Sequence, residues 1–179
     1  EKRGLPNLAV SVDAFRLYNS QKNIDLFVNN GIYTKEEVNS RMEIHLMDYS
    51  RTINIEARTM LEMTHKTIIP AVVNYSEHLL GALSKKRKFA DLKLNTYAEE
   101  KLLETISSLL GALYQSVETL EKNLELAYAT PSPLERAESY YHGVVGEMVT
   151  MRQLLDQLEV HIPEDLWEIP SYTKLLLEY

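Results

Sequence analysis

Eight apolar residues between Leu103 and Ala127 recur in strictly alternating steps of three and four: Leu103, Ile106, Leu110, Leu113, Val117, Leu120, Leu124 and Ala127. Only an α-helix returns such positions to one face. A seam repeating every ~3.5 residues stays on a partner helix only if the two supercoil left-handedly. A second run repeats the alternation through Leu134, Ala137, Tyr141, Val144, Met148, Met151, Leu155 and Leu158. Pro131 ends the first of these helices. Ser132, Pro133 and Glu135 supply a cap, a first-turn proline and a third-position acid for the next. So short a connection sends the chain back on itself as an antiparallel hairpin, and the spacing predicts that the two seams face each other.

A third, longer helix is expected upstream. Thr34 followed by Glu37 makes a capping-box pattern. Leu46, Tyr49, Ile53, Ala57, Met60, Thr64, Ile68, Ala71, Tyr75 and Leu79 then recur near the helical period. Gly81 is the first plausible end, which gives about 45 residues and roughly 70 Å. Pro70 lies inside this span and lacks the N–H its turn needs, so a kink or short break is expected there. Ser84 to Asn95 reads as a connection carrying the basic run Lys85 to Lys88, and Thr96 with Glu99 reads as the next capping box. Residues 1–33 read as an opening segment or linker with short helices, from Ser11 to Tyr18 and from Ser20 to Val28, stopped by Asn29-Asn30-Gly31. Residues 34–179 read as one helical domain whose tail holds Pro163, Trp167, Pro170 and a short helix through Leu175 to Leu177. No period-two strand is visible. The expected fold is therefore all-α: an antiparallel bundle of three long helices, the first overlong and kinked near Pro70, with short flanking helices. The excess length of the first helix must pack on the tail, on the opening segment or on another protein.

Composition removes several classes of function. A formal charge of −7, from 26 acidic and 19 basic residues, argues against a general binder of nucleic acid or anionic membrane. With no cysteine there are no disulfides, thiolate metal sites or thiol nucleophiles. No apolar run approaches the ~18 residues of a membrane span. The first residues lead into no apolar stretch of the secretory kind. The missing initiator Met suggests a processed chain or a piece of a longer one. The cytoplasm is the expected location.

Each candidate site has a plain alternative. Among His45, His65, His78, His142 and His161, only His65 completes an E-x-x-H spacing, with Glu62. Di-iron bundles need two such motifs and two further inward glutamates. Glu138 and His142 are four apart, so Glu62 and His65 read as a surface pair on one helix face. Lys85 to Lys88 could meet phosphate or a membrane, but the run is short, lacks interleaved aromatics and sits in an acidic chain, so a solvated inter-helix loop fits better. Tyr49, Tyr75 and Tyr141 sit on core stripes, where rings pack and hydroxyls reach the edge. Met60, Met148 and Met151 read as core filler. No phosphate loop, nucleophile elbow or H-E-x-x-H motif occurs. No residue is assigned a catalytic, cofactor-binding or metal role.

The segment from Asn30 to Tyr75 resembles a known family. Ser40-Arg41-Met42-Glu43-Ile44-His45-Leu46 runs on through Tyr49 and Thr52-Ile53-Asn54-Ile55-Glu56-Ala57 to Thr59-Met60, and then Ile69-Pro70-Ala71-Val72. This is similar to the C-terminal region of type III glutamine synthetases. There a pattern close to R-x-E-I-x-L-x-x-Y-x-x-T-I-N-I-E-A-x-T-M precedes an I-L-P-A motif. Lys2-Arg3-Gly4-Leu5-Pro6-Asn7-Leu8, with Asp13-Ala14, resembles the join between the family's catalytic barrel and its C-terminal bundle. From Leu92 onward only the helical layout and Pro170-Ser171-Tyr172 support the likeness.

The resemblance implies a parent enzyme that condenses glutamate with ammonia, using ATP and Mg2+ or Mn2+, in a double ring usually of twelve subunits. It implies the catalytic barrel of the same chain and neighbouring subunits as partners. None of the barrel's metal, nucleotide or phosphate motifs is present, so no catalytic role carries over. Glu43 and Glu56 match the family pattern and read as structural partners on the long helix. The competing expectations are a free-standing helical interaction module and a metal-binding bundle enzyme.

Overall fold

The computed structural model describes residue 4, residues 6–170 and residues 172–177. Lys2, Arg3, Leu5 and Ser171, which carry parts of the family resemblance, lie outside the described residues. The described chain is helical, with no strand among its residues. Its helices are α1 (Ser11–Tyr18), α2 (Gln21–Asn29), α3 (Lys35–Met63), α4 (Ile69–Lys88), α5 (Tyr97–Ala129), α6 (Pro133–Ser139), α7 (Gly146–Glu159) and α8 (Tyr172–Leu177). Two π-helical turns join neighbours: Thr64–Ile68 between α3 and α4, and Tyr140–Val145 between α6 and α7.

Local chemistry sets the boundaries. Gly31, at φ +64°, follows α2 in the left-handed region that glycine enters without steric cost. The Thr34 backbone N–H donates to Glu37 Oε2 at 2.7 Å, and the Glu37 N–H donates to Thr34 Oγ1 at 3.2 Å. The capping box is therefore closed in both directions. These bonds hold the Glu37 carboxyl below its usual range, backbone contact with Thr34 first. A depressed carboxylate pKa makes this contribution present above the unfolded value and lost as pH falls through the folded one. The second expected box forms differently. Asn95 Oδ1 accepts from the Tyr97 N–H at 2.9 Å, and the Thr96 hydroxyl donates to Glu100 at 2.8 Å. Glu99 is drawn instead to Lys86.

Pro70 does not break the helix. The π turn Thr64–Ile68 lies directly before it, closed by the Ile69 N–H on the Thr64 carbonyl. Pro70 then occupies a first-turn position of α4, where an absent N–H costs least. The helix passes Gly81 and continues to Lys88, further than the sequence suggests. Lys85, Lys86, Arg87 and Lys88 thus form a last helical turn, where positive charge complements the helix dipole.

The described chain divides into two compact units. One combines the chain up to Ala57 with Leu120–Gly146. Its core joins Val12 of α1, Leu46 of α3 and Ala137 of α6, with Phe15, Met42, Tyr49, Leu134 and Tyr141 packed around them. Aromatic contacts fasten the opening helices: Phe15 stacks on His45 at 5.6 Å between centroids, and Tyr18 meets Phe27 at 5.9 Å. Arg16 bonds Glu138. Asn123 donates to the Gly143 carbonyl at 3.0 Å, and Arg136 Nε donates to the Thr130 carbonyl at 2.7 Å across the Pro-Ser-Pro turn.

The other unit combines Arg58–Thr119 with the chain from Glu147 onward. Leu61, Ile68, Val72, Leu79 and Leu83 are buried on one side of the sequence, and Ile106, Leu113, Val117, Met151, Leu155 and Leu158 on the other. The Ser116 hydroxyl donates to Glu147, which ties α5 to α7. Trp167, the sole tryptophan, is buried in the segment after α7.

Thr64 is fully buried, and its hydroxyl has no hydrogen-bond partner. An unsatisfied buried hydroxyl carries its desolvation cost without compensation. Thr64→Val is therefore expected to stabilise the protein by about 1 kcal/mol. Urea unfolding checks it: a lowered midpoint would mean that the hydroxyl is satisfied in solution.

Candidate functional site

The polar groups flagged in the sequence are separated by the fold and engaged by their neighbours. Glu62 accepts from Lys66 one turn on, an exposed pair that holds the Glu62 carboxyl below its usual range. His65 presents its ring edge to Tyr114 at 6.5 Å between centroids. Glu138 accepts from Arg16 and not from His142, whose ring lies against Tyr141 at 4.9 Å. His45 stacks on Phe15 and meets Tyr18 edge-on. His78 is exposed and His161 half-buried. Among the described residues, no three His, Asp or Glu side chains converge as a metal site would require.

The tyrosine and methionine stripes lie as core positions do. Tyr49, Tyr75 and Tyr141 are half-buried, as are Met60 and Met148, while Met151 is fully buried. Burial pushes the Tyr49 phenol up, reinforced by Tyr141 and Glu56. Glu43 and Glu56 are both exposed on α3.

The basic run belongs to a groove that the sequence does not announce. An open groove of about 810 Å³ lies where the end of α4 meets the start of α5. Leu80, Leu83 and Leu103 line it, together with Arg87, Lys88, Glu100 and Glu104. Arg87 donates to Glu100 at 3.2 Å, and Lys86 binds Glu99 and the Asn95 carbonyl, the latter at 3.1 Å. These pairs hold the Glu99 and Glu100 carboxyls below their usual range, Lys86 acting first on Glu99 and Thr96 on Glu100. Arg87 is thus matched by a carboxylate, and the groove's lining carries acidic as well as basic side chains. The pairings bridge 13 positions of sequence, so no local motif signals them.

No helix of the described residues is long and apolar enough to cross a membrane. The hydrogen bonds and ion pairs described above fix helix ends and helix faces.

Comparison with known proteins bears on the family resemblance. Residues 1–87 match the family described as the glutamine synthetase C-terminal domain. The chain is similar to the glutamine synthetase of Butyrivibrio fibrisolvens, 33% identical over 175 residues, covering 98% of this chain and 25% of that protein. It is 24% identical over 178 residues to the glutamine synthetase of Bacteroides fragilis, covering 98% of this chain and 24% of that protein. It is 25% identical over 179 residues to the type-3 glutamine synthetase of Dictyostelium discoideum, again covering 98% of this chain and 24% of that protein. The chain thus spans about a quarter of the length of the curated relatives it matches. It is similar to glutamine synthetases, a type-3 enzyme among them, and its first 87 residues match the family model of their C-terminal domain.

Proposed function

We propose that this chain is the structural, assembly-forming C-terminal part of a type III glutamine synthetase. That enzyme would be an ATP-dependent ligase, joining ammonia to glutamate in the cytoplasm with Mg2+ or Mn2+. In this reading residues 34–179 are one domain, an antiparallel bundle built on the long helices, and residues 1–33 link it to the catalytic barrel. Its partners are that barrel and neighbouring subunits of a homo-oligomer, with twelve as the expected number.

One observation carries the reading: the chain aligns over nearly all its length with relatives four times as long. The remaining three-quarters or so of such a protein is where the reaction would sit. The internal pairing of Glu62, Glu99, Glu100 and Glu138 supports it, because carboxylates bound to Lys66, Lys86, Arg87 and Arg16 are not free to grip an ion. The residues present do not fit a divalent-ion or nucleotide site, so no step of the reaction is derived through either.

The test uses the full-length parent with and without residues 34–179. Removal is expected to reduce the assembly to smaller species on sizing, with a fall in specific ligase activity. Unchanged size and unchanged activity would sink the proposal.

A further inference from the structure

The outward side of α3 carries a line of residues that no periodicity argument needs. Ile44, Asp48, Arg51 and Ile55 follow steps of four, three and four, which place them on one stripe of the helix. All four lie within the unit that contains Leu46, and the stripe is the one opposite that buried leucine. Ile44 is 51% and Ile55 57% exposed, although each is a large aliphatic side chain. Asp48 and Arg51 are also exposed, and neither has an ion-pair partner among the described residues.

The order of these residues is self-complementary. Reversing the helix about the midpoint of Tyr49 and Ser50 exchanges Ile44 with Ile55 and Asp48 with Arg51. We propose that this stripe docks on the same stripe of a second copy of the chain, antiparallel, about a two-fold axis beside Tyr49 and Ser50. Such an isologous contact places each Ile44 on the other copy's Ile55. It also forms two equivalent Asp48–Arg51 pairs at the centre.

Both terms of the recognition come from the residues themselves. The aliphatic layers leave water, and the central charges, unpaired within one chain, find opposite charge in the other. The next layer outward would set Arg41 against Arg58, so the complementarity ends there. Arg41 is already held over the Tyr33 ring at 4.3 Å, within its own chain. Crossing helices also diverge beyond a few turns, so four central layers are what such a contact uses. A patch of this size predicts a weak, reversible dimer, with a dissociation constant on the order of 100 µM. The proposal concerns this chain's own surface and holds whether or not the longer protein is a ligase.

Sedimentation of the 179-residue chain over roughly 10 µM to 1 mM reads the association directly. The substitutions Asp48→Arg and Arg51→Asp each turn both central pairs into like-charge contacts. Each is expected to weaken dimerisation about tenfold or more. Combining them restores opposite charges, and the double variant should return to within about threefold of the parent. Circular dichroism confirms that each variant remains folded, as exposed positions should allow.

Register is read by cross-linking, which the absence of native cysteine makes unambiguous. Copies carrying Ile44→Cys should form a disulfide with copies carrying Ile55→Cys. Neither should pair with itself, because like positions would lie about 16 Å apart along the axis. A parent that stays monomeric throughout the range overturns the proposal. So do single variants that associate as well as the parent, a folded double variant that fails to recover, or self-pairing of the Ile44→Cys copies.

Discussion

Leu46→Ala is expected to destabilise the protein by about 3 kcal/mol and to release α1 to protease. Leu46 is 1% exposed and touches two elements distant in sequence, through Val12 and Ala137. Its truncation removes four carbons' worth of buried contact less the β-carbon, and the small Ala137 cannot swell to fill the space. Cavities of that kind add their own cost to the lost transfer energy. The stacked pair Phe15–His45 and the Arg16–Glu138 bond are too exposed to hold α1 without the core beneath them. Urea unfolding gives the first quantity. Tryptic cleavage after Arg16 and Lys22 gives the second, and an unchanged rate of cleavage would mean that α1 is anchored elsewhere.

Leu113→Ala should cost a similar amount, about 3 kcal/mol, while Leu110→Ala on the same seam should cost about 1 kcal/mol. Both residues belong to one alternating series, yet Leu113 is fully buried and Leu110 only half so. In a domain of this size the first change lowers the melting temperature by roughly 6–12 °C. The contrast is the measurement of interest. Equal losses at the two positions would show that the seam is covered along its whole length and that burial here underestimates contact.

The seam was the most legible part of the fold because its signal is local. Ile106, Leu113, Val117, Leu120, Leu124 and Ala127 are all buried, and only Leu103 and Leu110 are half-covered. The hydrophobic period carries that information within single turns. The Thr34–Glu37 box was legible for the same reason, since its two bonds close over three residues. The Thr96–Glu99 box was not, because Lys86 arrives from 13 residues away and outcompetes a local donor. Gly81 misled as a stop, since a glycine costing ~1 kcal/mol within a helix is tolerated when Leu79 and Leu83 on either side are buried. Nothing in the periodicity announced that Val12 would enter the core. Its helix is short, and only contact with α3 and α6 orients it. The groove beside Arg87 has no sequence signature for a related reason, because it exists only where two helix ends meet.

The two π turns also bear on how this chain tolerates change in length. A π turn is an ordinary helix that has taken in one residue without starting a new coil. Deleting a residue within Thr64–Ile68 would let the ladder close as a plain α-helix with the faces of α4 left about where they are, whereas the same deletion inside a plain α-helical stretch turns every later side chain by roughly 100°. The screw would shorten by one residue and keep its flank, so Val72, Leu79 and Leu83 would stay in their shelter. The extra residue ahead of Pro70 is therefore slack stored within one turn, which the helix can lose there without changing the face that α4 buries.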